Sequence, residues 1–135
     1  MSKFVFRPRY AIREATDPSL EWLQEIILNP CKPEREFGEA IIDFSDGARK
    51  VRMILIHDQT LGYYLKIGPD PVWLSLGDRS RLGEVVCPDD WNFSAGLCIA
   101  PEKAWVAIRE FCVSGNRANE IDWISPAEIP IDGNY

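Results

Sequence analysis

The chain has 135 residues, of which 46% are hydrophobic, with five tryptophans, a formal net charge of −6 and a pI near 4.8. This length and apolar content suit one domain over residues 1–135 with a buried core, and they exclude an intrinsically disordered chain. The negative charge disfavours phosphate and anionic lipid as ligands, and no apolar run approaches the ~20 residues of a membrane-spanning helix, so we expect neither a nucleic-acid nor a membrane partner.

The N-terminal segment Met1–Arg13 mixes aromatic with basic residues and lacks the continuous apolar stretch of a secretory signal. We therefore expect a cytoplasmic protein. Its four cysteines, Cys31, Cys87, Cys98 and Cys112, lack the C-x-x-C pairing of a zinc or redox site. The sequence thus predicts reduced, mostly buried thiols and no cofactor.

The first predicted helix begins at the Asp17-Pro18-Ser19 segment, with Asp17 as the N-cap carboxylate and Pro18 at the first helical position. Apolar residues then recur at helical spacing until Pro30, which lacks the amide donor that a helix requires. The expected buried stripe consists of Leu20, Leu23, Ile26 and Ile27.

The next segment predicts a β-hairpin. Phe37–Phe44 and Lys50–His57 are apolar, β-branched or alternating, and Ser45–Ala48 between them contains turn residues. The second strand is apolar at successive positions, so we expect it to be central and covered on both faces. One face is predicted to hold Ile41, Val51, Met53 and Leu55, and the other Ile42, Ile54 and Ile56.

An antiparallel meander is predicted to continue through strands at Gly62–Ile67 and Val72–Leu74. Residues Gly77–Gly83 are predicted to form a polar turn. Residues Glu84–Cys87 are predicted to form a further strand. Pro88–Asn92 is expected to interrupt the sheet as an exposed loop.

A second helix is predicted over Pro101–Ser114, capped by Gly115 in the left-handed conformation. A closing strand follows at Ile121–Ile124. The resulting fold is α+β, a mostly antiparallel sheet of about five strands covered by two helices. The buried stripe of the second helix is expected to hold Ala104, Trp105, Ile108, Phe111 and Cys112.

Signs of catalytic chemistry are sparse. His57 is the single histidine and ends an apolar strand without a nearby nucleophile motif, which favours a structural role. No glycine-rich phosphate loop is present, and the acidic residues lack the graded spacing and glycine of a calcium loop, so neither a catalytic nor a metal-binding residue is assigned. The alternative is a small hydrolase or transferase that uses His57 with Asp58 or Asp43.

The segment Pro101–Trp123 carries a specific pattern. An amphipathic helix ends in E-F-x-x-x-G and is followed by a short basic and polar turn and a strand that ends in Trp. This pattern resembles immunity-protein family one of bacterial polymorphic toxin systems, with Leu61–Leu65 similar to the family's Gly-rich strand. The matching positions are Glu110, Phe111, Gly115, Arg117 and Trp123.

The resemblance implies a non-enzymatic protein that binds and neutralises a cognate toxin, often a nuclease or a nucleic-acid deaminase. A toxin that acts on nucleic acid needs a basic active-site cleft, and an acidic inhibitor can be steered into such a cleft. An adaptor module in a larger assembly is a further alternative.

Trp105, Phe111 and Trp123 are interpreted as core anchors, so the toxin-binding residues must lie elsewhere. Interface hot spots combine aromatic side chains with a polar rim, which favours loops that carry both aromatic and acidic residues. For Trp73 the competing interpretation is core packing. The candidates are Asp70, Trp73 and Asp78 around one turn, Asp89, Asp90 and Trp91 on another, and Glu128, Asp132 and Tyr135 in the extended tail.

Overall fold

The computed structural model describes residues 2–8, 14–29, 39–89 and 91–130, with the backbone alone of residues 87–89 and 91. Its elements are β1 (Ser2–Pro8), β2 (Ala15–Thr16), α1 (Leu20–Leu28), β3 (Glu39–Asp46), β4 (Arg49–Asp58), β5 (Gly62–Gly68), β6 (Trp73–Leu76), β7 (Val85–Asp89), β8 (Trp91–Ser94), α2 (Pro101–Ser114) and β9 (Asp122–Ile124).

Most of the strands form one antiparallel sheet in the order β2-β1-β3-β4-β5-β6-β9. Both helices pack on the same face of this sheet. The predicted α+β class with two helices is therefore confirmed, with seven strands in the main sheet where about five were expected. Neither helix in the described part of the chain is long and apolar enough to cross a membrane.

The predicted hairpin is β3–β4. Its ladder runs to the pair Asp46 and Arg49, and Gly47 in the turn has φ +61°, a conformation that glycine adopts readily. Strand β4 is central, as expected, but the assignment of Ile41 and Ile42 to the two faces is wrong. Ile42 lies opposite Met53 on the helix-covered face, and Ile41 lies on the other face, because side chains paired across a ladder share a face.

Helix α1 begins two positions later than expected, at Leu20. Its N-cap is Ser19, whose hydroxyl accepts a hydrogen bond from the Trp22 amide at 3.2 Å. Asp17 has φ +47°, and its carboxylate accepts a hydrogen bond from the Phe4 amide at 2.8 Å, so it ties α1 to β1 rather than capping the helix. Pro30, the predicted stop, lies outside the described residues.

Helix α2 has the predicted bounds. Pro101 occupies the first turn, and Gly115 has φ +73° and donates its amide to the Phe111 carbonyl at 2.7 Å. The Phe111 ring packs against Phe44 of β3 with centroids 6.1 Å apart. Phe111 is a core anchor as predicted, whereas Trp105 and Trp123 are half-buried at the edge of the core.

Two features differ from the sequence-based topology. Strand β1 was not predicted, yet it pairs with β3 over its whole length, and its Phe4 and Phe6 enter the core under the helices. The segment expected to be a sheet strand followed by a loop is instead the separate hairpin β7–β8, which pairs with no strand of the main sheet.

The hairpin β7–β8 covers part of the second sheet face, together with 3₁₀ turns at Arg79–Arg81, Ala95–Leu97 and Pro126–Glu128. A second apolar cluster lies beneath this layer and comprises Ile56, Tyr64, Leu74, Leu82, Phe93, Leu97, Cys98, Ile124 and Ile129. The sheet is therefore covered by helices on one face, and by turns and a hairpin over part of the other.

Candidate functional site

The structure separates the first group of predicted toxin-binding residues. Asp70 precedes β6 and Trp73 is its first residue, whereas Asp78 follows its last residue. Asp70 and Trp73 therefore lie at one end of the strand and Asp78 at the other. They belong to two different surfaces.

Trp73 is half-buried beneath Arg117, whose guanidinium carbon lies 3.9 Å from the centre of the indole ring. A cleft of about 330 Å³ beside it is lined by Asp70 together with Arg49, Lys50 and Arg117. The surroundings of Asp70 are thus basic, whereas the sequence led us to expect an acidic loop. Arg49 also donates to the Ser114 and Gly115 carbonyls at the end of α2, at 3.1 and 2.8 Å.

The other end of β6 is acidic. Asp78 caps the turn Arg79–Arg81 and accepts hydrogen bonds from the Ser80 amide at 3.0 Å and the Ser80 hydroxyl at 2.6 Å, which lower the pKa of its carboxyl. Arg79 lies 3.7 Å from Glu128, so this turn and the turn Pro126–Glu128 are linked. Two predicted residues from distant parts of the sequence therefore meet here.

Glu84 completes this surface and was not predicted. Its carboxylate accepts two hydrogen bonds from the Arg81 guanidinium, each of 3.0 Å, and this pairing lowers the pKa of the Glu84 carboxyl. The sequence does contain a signal for this ion pair, because Arg81 and Glu84 are three residues apart and side chains at that spacing can interact within a helical turn. We call Asp78, Glu84 and Glu128 the acidic rim; all three are exposed.

The rim rests on a rigid base. The amides of Gly77 and Asp78 both donate to the Gly96 carbonyl, at 2.9 and 3.0 Å, which fixes the start of the turn on the segment Ala95–Leu97. Glu128 accepts a hydrogen bond from the Ser125 amide at 3.0 Å, which closes a capping box in the second turn.

An exposed apolar residue adjoins the rim. Val85, the first residue of β7, is 49% exposed and follows Glu84 directly. The hairpin is anchored beneath it by the buried Ser94, whose hydroxyl donates to the Leu82 carbonyl at 2.6 Å. Val85 therefore offers apolar surface next in sequence to the Glu84 carboxylate.

The structure describes only some of the remaining predicted site residues. Asp89 and Trp91 face each other in the ladder at the far end of the β7–β8 hairpin. Asp90, Asp132 and Tyr135 lie outside the described residues. The described candidates thus divide among the acidic rim, the basic cleft at Trp73 and the end of the hairpin.

His57 is not brought together with Asp43. His57 projects from the helix-covered face beside Tyr63, with ring centroids 4.9 Å apart, whereas Asp43 lies on the other face between Arg7 and Arg52, at 3.2 and 2.7 Å. The Asp58 carboxylate accepts hydrogen bonds from two backbone amides of its own turn, at 2.8 and 2.9 Å. The alternative pair of His57 with Asp43 therefore gains no support from this arrangement.

Burial lowers the pKa of His57 below its ordinary value of 6.5, and the neighbouring Asp58 opposes this shift. The folded chain then binds the proton less readily than the unfolded chain, so stability is complete above about pH 6.5 and falls as the pH decreases below it. We expect urea unfolding curves between about pH 7.5 and 5.5 to show this loss in the native chain and less of it in His57→Gln. Parallel pH dependence of the two proteins would contradict this assignment.

The two cysteines whose side chains the structure describes are buried, and burial raises the pKa of both the Cys98 and the Cys112 thiol to about 12. They are therefore protonated and unreactive at neutral pH. Cys31 lies outside the described residues. Within the described ranges, no group of three His, Cys, Asp or Glu side chains is placed to hold a metal ion.

Comparisons with protein-family models, with curated proteins and with solved structures gave no match to this chain. The resemblance of Pro101–Trp123 to immunity-protein family one stays a prediction from the sequence.

Proposed function

We propose that this chain is an immunity protein that neutralises a cognate bacterial toxin by placing the acidic rim in the toxin's basic active-site cleft. The observation that carries the proposal is the link between Arg79 and Glu128 at 3.7 Å, which joins the turn capped by Asp78 to the turn that contains Glu128. The expected toxin is a nuclease or a nucleic-acid deaminase, because such enzymes need cationic clefts for phosphate.

Carboxylates of the acidic rim can exchange their arginine partners within the chain for cations of a bound toxin. Two of its carboxylates, those of Glu128 and Glu84, are paired with Arg79 and Arg81 on the exposed surface, and such ion pairs contribute only about 0–1 kcal/mol. A cationic partner can therefore take over these carboxylates at low cost. The turns themselves stay in place, because backbone hydrogen bonds hold them: Gly77 and Asp78 donate to the Gly96 carbonyl, and the Glu128 amide donates to the Ser125 carbonyl at 3.1 Å.

Inhibition in this proposal needs one bound copy for each toxin molecule and no chemical step. The carboxylates compete with substrate phosphate for the same cations, and Val85 supplies an apolar contact whose burial removes water from the interface. The net charge of −6 increases the rate of encounter with a basic surface and makes that rate sensitive to salt.

The double variant Glu84→Lys/Glu128→Lys tests the proposal by placing cations against the cationic cleft. We expect the affinity for the toxin domain encoded beside this gene to fall at least ~10- to 100-fold, because like charges in an interface cost several kcal/mol. Growth of cells that co-express the toxin should be lost in parallel.

The matched control is Glu21→Lys/Glu102→Lys, which makes the same change in net charge on exposed positions of α1 and α2. It should retain protection. Both proteins are first checked for native thermal unfolding, since each removes favourable charge interactions. If the control loses protection while the rim variant keeps it, the acidic rim is not the toxin-binding surface.

A further inference from the structure

Half of the second sheet face lies away from the acidic rim and is covered by none of the residues that the structure describes. Side chains of β1, β3, β4 and β5 project from it, and they line two adjoining depressions of about 480 and 450 Å³ that share Arg52 and Pro69. We call the two depressions together the basic groove. We propose that this groove is a second docking site and that it binds an acidic polypeptide segment with apolar side chains.

Charge is the first argument. Among the described residues that line the larger depression, four are cations, Lys3, Arg7, Lys50 and Arg52, and one, Asp43, is a carboxylate. Both arginines share that carboxylate, as described above, and Arg7 also lies 3.7 Å from Glu14. This surface is therefore net positive although the whole chain has a net charge of −6. The amino-acid composition gives no indication of such a local excess of cations.

The two lysines carry most of the unbalanced charge. Lys3 and Lys50 are exposed, and neither has a hydrogen bond or ion pair with any residue that the structure describes. An incoming carboxylate therefore displaces no existing partner from them. Their pairing with a ligand requires no break in the sheet, because both side chains project from strand positions on its open face.

Apolar lining is the second argument. The smaller depression is lined by Ile54, Val72 and Pro69 between the side chains of Arg52 and Lys66. Ile54 and Val72 are half-buried, so each still offers apolar surface to a ligand. Burial of that surface by a ligand removes apolar area from water, which favours binding.

These two properties together favour a polypeptide over a nucleic acid. An extended peptide with alternating acidic and apolar residues can place carboxylates on the cations and apolar side chains in the smaller depression. Single-stranded nucleic acid is usually held by aromatic stacking, and the described side chains that line the groove include no exposed aromatic ring.

The test uses the full chain and three labelled probes in fluorescence anisotropy at about 0.15 M salt, where exposed charges are screened. The probes are a peptide of alternating Glu and Leu, an oligoglutamate of equal charge, and an oligothymidylate of equal charge. We expect the Glu-Leu peptide to bind at least ~10-fold more tightly than either of the others, because it alone offers both charge and apolar surface.

The variants Lys3→Glu/Lys50→Glu and Lys3→Gln/Lys50→Gln should each weaken this binding at least ~10-fold. The control Lys103→Glu/Arg109→Glu matches the charge reversal on exposed positions of α2 and should bind as the native chain does. Tighter binding of oligothymidylate, absence of peptide binding, or equal loss in the control would each overturn the proposal. Toxin protection by the groove variants is expected to be intact, which separates this site from the acidic rim.

Discussion

Replacing Phe111 with alanine is expected to lower the free energy of unfolding by about 3–5 kcal/mol, because the ring is fully buried and leaves a cavity that the core cannot fill. Phe111 is 0% exposed and packs against Phe44 where α2 crosses the sheet. Its carbonyl also accepts the capping hydrogen bond from Gly115. Urea unfolding followed by tryptophan fluorescence measures the change.

Val113→Ala is the matched control on the same helix. Val113 is 59% exposed, so its truncation should change stability by less than about 0.5 kcal/mol. Similar losses in the two variants would mean that α2 does not pack through the face described here.

Replacing Gly77 with alanine is expected to cost about 2–3 kcal/mol, because the added methyl group has no room. A Cβ at this position would lie 1.8 Å from the Cys98 carbonyl oxygen, which is backbone and cannot rotate away. The chain must therefore shift where Gly77 and Asp78 bind Gly96, and the acidic rim shifts with it. Thermal unfolding measures the loss of stability, and toxin affinity should fall as well.

Gly83→Ala is the corresponding control in the same polar turn. A Cβ at Gly83 would meet no heavy atom within 4 Å, so we expect a stability change within about 0.5 kcal/mol and unchanged toxin binding. Equal tolerance of both substitutions would contradict the close packing of Gly77 on Cys98.

Local signals predicted much of the fold. Helix α2, its Gly115 cap and the β3–β4 hairpin follow from periodicity and turn residues that lie next to one another in the sequence. The start of α1 was misplaced because Asp17 and Ser19 are both good N-cap residues, and only the contact between Asp17 and the Phe4 amide decides between them.

Long-range pairing could not be predicted in the same way. Strand β1 has an alternating Lys3-Phe4-Val5-Phe6-Arg7 pattern, but its partner β3 lies far along the chain and no turn connects the two directly. The β7–β8 hairpin was missed because its proline and acidic residues are also typical of a loop.

In the candidate site, too, the residue types could be predicted from the sequence, but the long-range contacts between them could not. Asp78 and Glu128 were predicted separately from their residue types, whereas their connection through Arg79 depends on how β6 and the C-terminal turn are placed. The basic surroundings of Asp70 and the basic groove could not be predicted from the net charge of −6, because a net charge does not tell how charged residues are distributed over the surface.

The most direct test of the proposed function is calorimetric titration of the purified chain into the toxin domain encoded beside its gene, at low and at physiological salt. We expect one-to-one binding that weakens as salt increases, that is reduced by Glu84→Lys/Glu128→Lys, and that displaces nucleic acid from the toxin. Binding that is absent, or that is indifferent to both salt and the rim variant, would contradict neutralisation through the acidic rim.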